Sequence, residues 1–277
     1  MKAIYWLEDH LQAPDIRLAD ASYYLPADER DPRAEFAAEH IPGAVFFDLE
    51  DVADVIDGTP MMIPRPEKFS SRMRKLGIGD GNRVIVYDTA GLFSAARAWW
   101  MLKVMGVADV YVLDGGLPKW KSENRPLSDD TVRPSERHFT ARLNNLLVRT
   151  ADQVVQATKD GDEQIVDVRS ASRFAGKETE ARQGCRAGHI PNSLNLPYTE
   201  LLNADGTLKD RAGLRAAFKD AGVELSRPVV TSCGSGVTAC IGLLALHELG
   251  AIDIALYDGS WAEWGMRADL PIAEGAA

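Results

Sequence analysis

The stretch TSCGSGVTAC, residues 231–240, carries the arrangement in this sequence with the most evident chemical use. Cys233 ends a β-branched run, Gly234 and Gly236 follow with Ser235 between them, and Val237 and Thr238 lead into an apolar stretch of helical length. Glycines at this spacing let backbone amides turn toward a common centre, which makes a nest for an anion. Amides and a helix N-terminus beside a thiol favour its thiolate, so Cys233 is expected to act as a nucleophile in a loop that holds no charge. A cysteine taken alone is more often a small buried residue. The two glycines at a strand-to-helix junction, where ligands collect in α/β sheets, favour the chemical reading here.

Around this loop the chain is built twice. EHIPGAVFFDLEDV at 39–52 returns as GHIPNSLNLPYTEL at 188–201, so that His40 and His189 lie 149 residues apart. RVIVYD at 83–88 returns as PVVTSC at 228–233, and VYVLDGGLPKW at 110–120 as IALYDGSWAEW at 254–264. Short β-branched runs alternate with helical stretches such as SAARAWWMLKVMGV and VTACIGLLALHELG, the latter ending at Gly250 as a C-cap. Alternation of this kind predicts an α/β fold, in each copy a mainly parallel sheet flanked by helices. The expected division is a first domain over 1–125, a polar linker with two prolines over 126–148, and a second domain over 149–277. Asp88 stands in the first copy where Cys233 stands in the second, so only the second copy offers a thiol at this place.

Bulk properties narrow the classes of function. A chain of 277 residues with 45% hydrophobic content is long enough for two cores. A net charge of -10 argues against nucleic-acid binding, which needs an excess of lysine and arginine. No apolar run is long enough to cross a bilayer and the first residues do not read as a signal peptide, so a cytoplasmic protein without a membrane partner is expected. Cys185, Cys233 and Cys240 form no CxxC pair and meet no histidine at ligand spacing, which predicts neither structural disulfide nor metal. Cys240 is expected in the core; Cys185, near Arg182, is the only other thiol with a chance of redox chemistry.

Taken together, CGSGVTA, the segment DGSWAEWG, the two HIP segments and the duplicated α/β unit resemble the tandem-rhodanese sulfurtransferases, and among them most closely those that take sulfur from 3-mercaptopyruvate. The resemblance spans nearly the whole chain. It implies that the second domain is catalytic and the first lacks the active cysteine. It further implies that Cys233 takes sulfur from 3-mercaptopyruvate as a persulfide, releases pyruvate, and passes the outer sulfur to a thioredoxin-like dithiol, a small thiol or cyanide, without a cofactor. Gly234, Gly236, Val237 and Thr238 then form the binding loop, while Arg173 and Arg182 match the two arginines that hold the donor's carboxylate and ketone. Ser235 is implied in a proton relay with His40 and Asp31 from the first domain, Asp28 competing with Asp31. His40 also belongs to a repeated segment, and a purely structural histidine is the alternative.

Two neighbouring activities are weighed against this. Thiosulfate, a compact dianion, calls for cations inside the loop, and the loop here is neutral. Phosphatases of similar shape need an arginine where Thr238 stands. A persulfide carrier or regulatory module is the alternative of a different class, and it would have no use for a carboxylate clamp.

Overall fold

The computed structural model describes residues 1 and 4–275. The chain forms two compact units. Unit 1 comprises Met1–Asp54, Ile63–Asn144 and Ala204–Leu208; unit 2 comprises Val55–Met62, Asn145–Asn203 and Lys209–Ala277. Each unit thus takes most of one repeat and a short piece of the other.

Eleven strands occur among the described residues: β1 (Ile16–Asp20), β2 (Val45–Phe46), β3 (Asp54–Ile56), β4 (Thr59–Met62), β5 (Arg83–Tyr87), β6 (Val110–Val112), β7 (Val148–Arg149), β8 (Gln164–Asp167), β9 (Leu194–Asn195), β10 (Val229–Ser232) and β11 (Ile254–Tyr257). The sheet of unit 1 runs β2-β1-β5-β6 and that of unit 2 runs β7-β11-β10-β8-β9, with every pairing parallel. Reversing the second order gives β9-β8-β10-β11, the first repeat's order, with β7 added at the edge. The expected α/β architecture is therefore present in both repeats.

The central strands are rich in β-branched residues, as expected of strands covered on both faces, and all four residues of β10 are buried. Helix Ala95–Val104 packs on β5 and β6, and helix Ala239–Leu249 on β10 and β11. Gly250 ends the latter at φ 84°, the left-handed conformation of a C-cap. The core of unit 1 gathers around Ile85, Tyr87, Leu117 and Trp120, and that of unit 2 around Val230, Tyr257, Trp261 and Trp264. Trp99 and Trp100 are buried as well.

The segment expected to link the domains is not a free tether. Ser128 pairs with His40 in an antiparallel bridge, the Asp80 amide donates to His138 O, and the amides of Arg142 and Asn144 donate to Met105 and Val104 carbonyls. A polar, proline-bearing stretch with little internal structure still satisfies its backbone by lying along unit 1. Residues 145–149 already belong to unit 2, where β7 pairs with Leu256 and Tyr257.

Candidate active site

Cys233 is the first residue past β10 and is 1% exposed. Three bonds fix its junction with the loop. Its amide donates to Ser260 Oγ at 3.2 Å, its carbonyl accepts from the Trp261 amide at 2.9 Å, and the Gly234 carbonyl accepts from the Ala262 amide at 2.7 Å. Gly236 then takes φ 75°, which a side chain resists, and the chain enters helix Ala239–Leu249. The amides of Ser235 and Thr238 have no acceptor among the described residues; the Cys240 amide is used by Val237 O at 3.2 Å. Ser235 and Thr238 are half-buried, Val237 is buried, and Cys240 lies in the core with its thiol directed to Gly236 O.

Unit 1 displays what such a loop can hold. Asp88, aligned with Cys233, turns its carboxylate back into its own loop, accepting from the Ala90 amide at 2.9 Å, Phe93 at 2.7 Å and Ala95 at 2.8 Å. The first loop is one residue longer, and with the helix starts Ala95 and Ala239 aligned these three correspond to Ser235, Val237 and Ala239. The first loop is thus an anion nest filled by a tethered carboxylate. The second presents the corresponding loop amides, of Ser235, Val237 and Ala239, beside a thiol.

A buried ion network supports the loop. Helix Ala171–Phe174 starts at Ser170, whose hydroxyl caps the Arg173 amide, and carries Arg173 toward the loop. An ideal Cβ on Gly234 would lie 3.3 Å from Arg173 Nη2, so a side chain there would displace the guanidinium by a few tenths of an ångström. Arg173 pairs with Glu180, which also holds Arg169 at 2.9 Å, and Arg169 in turn holds Asp167 at 2.7 Å. Arg169 further lies 4.5 Å above the Trp261 ring. Burial works against the charge of Arg173, but the hydrogen bond and charge of Glu180, followed by the Cys233 sulfur, hold its pKa above the ordinary value. Arg182 donates to two backbone carbonyls, Ala262 O at 3.4 Å and Gly58 O at the tip of the β3–β4 hairpin. Gly58 and Asp57 make the two-residue turn with φ 76° and 49°, the geometry for which an Asp-Gly pair is suited. Arg182 has no carboxylate partner among the described residues.

Unit 2 therefore brings Cys233, Gly234, Gly236, Arg173 and Arg182 together, Arg173 lying against Gly234 and Arg182 joined to the loop through Ala262. Sequence reasoning missed Arg169 and Glu180, which read as ordinary surface charges, and Ser260, which reads as a turn residue. Cys185 is half-buried, and burial followed by Glu180 pushes its thiol pKa up, away from a reactive thiolate.

His40 and Asp31 both sit in unit 1 and do not bond each other. Asp31 is the N-cap of helix Pro32–Ala38, its Oδ1 accepting from the amides of Arg33 and Ala34, each at 3.0 Å. His40 is buried, stacks on Phe36 with ring centres 4.2 Å apart, and bonds through Nδ1 to Phe36 O at 2.7 Å rather than to Asp31. His189 repeats this arrangement with Phe174, at 3.7 Å between rings and 2.8 Å to the carbonyl. Asp28 bonds the Leu25 amide and is likewise not a partner of His40.

Comparison with known proteins fits this geometry. The rhodanese-like domain pattern matches residues 3–123 and again residues 150–267. The chain is 45% identical over 268 residues to 3-mercaptopyruvate sulfurtransferase of Escherichia coli K12, covering 96% of this chain and 95% of that one. It is 39% identical over 291 residues to the mitochondrial thiosulfate/3-mercaptopyruvate sulfurtransferase 1 of Arabidopsis thaliana, covering 98% and 77%. The crystal structure of SseA from Escherichia coli, described as a 3-mercaptopyruvate sulfotransferase of rhodanese fold, superposes with a TM-score of 0.87 at 42% identity over 94% of this chain and 98% of that one. With a domain match in each repeat and full-length relatives at this identity, the chain belongs to the rhodanese family in its two-domain form.

Proposed function

We propose that the protein is a sulfurtransferase that takes sulfur from 3-mercaptopyruvate through a persulfide on Cys233 and delivers it to a thiol or to cyanide. The thiolate of Cys233 attacks the donor's sulfur, forming the S–S bond as the C–S bond breaks and the pair of electrons leaves as the enolate of pyruvate. The proton of the donor's thiol ends on the enolate carbon, so that thiolate and mercaptopyruvate give persulfide anion and pyruvate with nothing added. Attack of an acceptor thiolate, or of cyanide, on the outer sulfur restores Cys233. A dithiol acceptor closes its own disulfide and releases hydrogen sulfide.

The observation that carries this reading is the charge arrangement at the loop. Arg169, Arg173 and Arg182 bring three positive charges, and Asp167 and Glu180 two negative ones, so the surplus is one. It lies outside a neutral loop. That suits a donor whose single carboxylate stands several bonds from its sulfur, with the guanidinium forks of Arg173 and Arg182 holding carboxylate and ketone. Thiosulfate concentrates two charges at the sulfur itself and would find only amides there. Gly234, Gly236, Val237 and Thr238 line the nest that receives the sulfur anion, and the Ser235 hydroxyl carries the proton between sulfur and carbon. His40 is read as the lock of its own repeat, since its twin His189 makes the same bonds, and Asp31 as a helix cap.

Cytoplasmic placement is supported by three cysteines that are all free, one of which must remain reduced to work. A thioredoxin-like dithiol or small thiol is the acceptor such a compartment supplies.

The test is steady-state pyruvate formation from 3-mercaptopyruvate with a dithiol, beside thiosulfate with cyanide, for the wild type, Cys233→Ser, Arg173→Met and Arg182→Met. The reading expects mercaptopyruvate to be the better donor, Cys233→Ser to be inactive, and each arginine variant to raise KM. Preference for thiosulfate would replace the donor assignment. Turnover of neither donor would favour a persulfide carrier.

A further inference from the structure

The two repeats hold equivalent loops by opposite means. In unit 1 the loop is gripped from inside, by the three amides that bond the Asp88 carboxylate. A cysteine in that place cannot grip its own loop, and an inside grip would fill the nest that a sulfur anion must enter. Unit 2 grips from outside. The segment Ser260–Ala262 contributes a hydroxyl that accepts the Cys233 amide and two amides that donate to the Cys233 and Gly234 carbonyls. In unit 1 the matching residues are Gly116, Leu117 and Pro118, which have no hydroxyl and, at proline, no amide. One of the three bonds survives there, from Leu117 to Asp88 O at 2.9 Å.

Ser260 occupies this position against its backbone preference. It has φ 49° and is fully buried, where Gly116 of the first repeat has φ 53°. A non-glycine residue held in this region is strained, and such strain collects at functional sites. Its hydroxyl is fully used, donating to Tyr257 O at 2.9 Å while accepting from Cys233. Unit 1 could not hold a serine there, because a Cβ on Gly116 would lie 2.4 Å from Asp88 O.

We infer that Ser260 is a positioning residue for the Cys233 nucleophile, its hydroxyl anchoring the amide of Cys233 from outside the loop so that the inner amides stay open to the sulfur anion. The inference rests on Cys233 being the sulfur-accepting residue. It assigns to Ser260 a bond that the silent repeat neither makes nor has room to make.

Ser260→Gly removes the hydroxyl and relieves the strain together, which separates positioning from stability. The variant is expected to melt at or above the wild-type temperature, to alkylate at Cys233 with iodoacetamide more slowly and with a pH profile displaced upward, and to form pyruvate roughly tenfold or more slowly with little change in KM. Ser260→Ala, which lacks the hydroxyl but keeps a Cβ, is expected to show the same kinetic loss with a lowered melting temperature. Wild-type alkylation rate and profile in Ser260→Gly would overturn the inference, as would a kinetic loss seen only in proportion to lost fold. Alkylation requires no donor, so failure of the mercaptopyruvate assignment would appear in the wild type's turnover and leave this comparison intact.

Discussion

Arg173 and Gly234 share one space: the guanidinium Nη2 lies 3.3 Å from where a side chain on residue 234 would begin. The second residue of the cysteine loop is covered by a cation from helix Ala171–Phe174, which a side chain there would displace slightly. Gly234 does not have positive φ, so alanine there is tolerated by the backbone and acts only by moving Arg173. Gly234→Ala is expected to raise KM for 3-mercaptopyruvate about fivefold, roughly 1 kcal/mol of binding, with kcat and melting temperature little changed. Steady-state pyruvate formation checks it, and an unchanged KM would detach Arg173 from donor binding.

Glu180 is the hinge of the ion network, buried and shared by Arg169 and Arg173. Replacing it by glutamine keeps the shape and removes the charge that both guanidinium groups face. Glu180→Gln is expected to lower stability by roughly 3 kcal/mol, because a charge left buried without its partner is costly, and to raise KM as Arg173 loosens. Urea unfolding together with steady-state kinetics measures both effects.

The paired histidines provide an internal control. His40→Asn and His189→Asn each lose a stacked ring and a bond to a carbonyl, and each is expected to cost roughly 1–2 kcal/mol of stability. Asp31→Ala is expected to cost about 1 kcal/mol as a lost N-cap. Pyruvate formation per folded molecule should be near wild type in all three. A large fall in kcat confined to His40→Asn with the fold intact would restore His40 to the proton transfer.

Asp20 and Asp167 are also twins, but only Asp167 has an arginine two residues on; Asp20 has Ser22, whose amide donates at 2.9 Å. Burial, only partly offset by the Ser22 bonds, raises the Asp20 pKa to about 6. The native state therefore holds this proton more tightly than the unfolded chain. The stabilisation is full below the unfolded value near 4 and is lost as pH rises through about 6, by at most roughly 3 kcal/mol. Asp20→Asn should remove that fall, gaining on the wild type between about pH 5 and 7.5, as checked by urea unfolding across the range.

The sequence carried the architecture well, because a duplicated chain states its pattern twice and buried parallel strands such as RVIVYD and RPVVTS are rich in β-branched residues. Cys233 was legible because two glycines at a strand end have few other uses. Glu180 and Arg169 were not, since nothing local distinguishes a charge that will be buried in a network from one on the surface. The exchanged segments had a readable trace: Asp-Gly-Thr occurs at 57–59 and again at 205–207, in the pieces that cross between units. Ser260 stood against Gly116 in the aligned repeats, and its meaning needed the backbone angle and the bond to Cys233.

The most direct test of the central claim is a single turnover without acceptor. Wild-type enzyme mixed with excess 3-mercaptopyruvate should release one pyruvate per active site and gain the mass of one sulfur atom, located on Cys233 by peptide mapping and removed on addition of a dithiol. Absence of the pyruvate burst, or sulfur placed on Cys185 or Cys240 instead, would contradict the account.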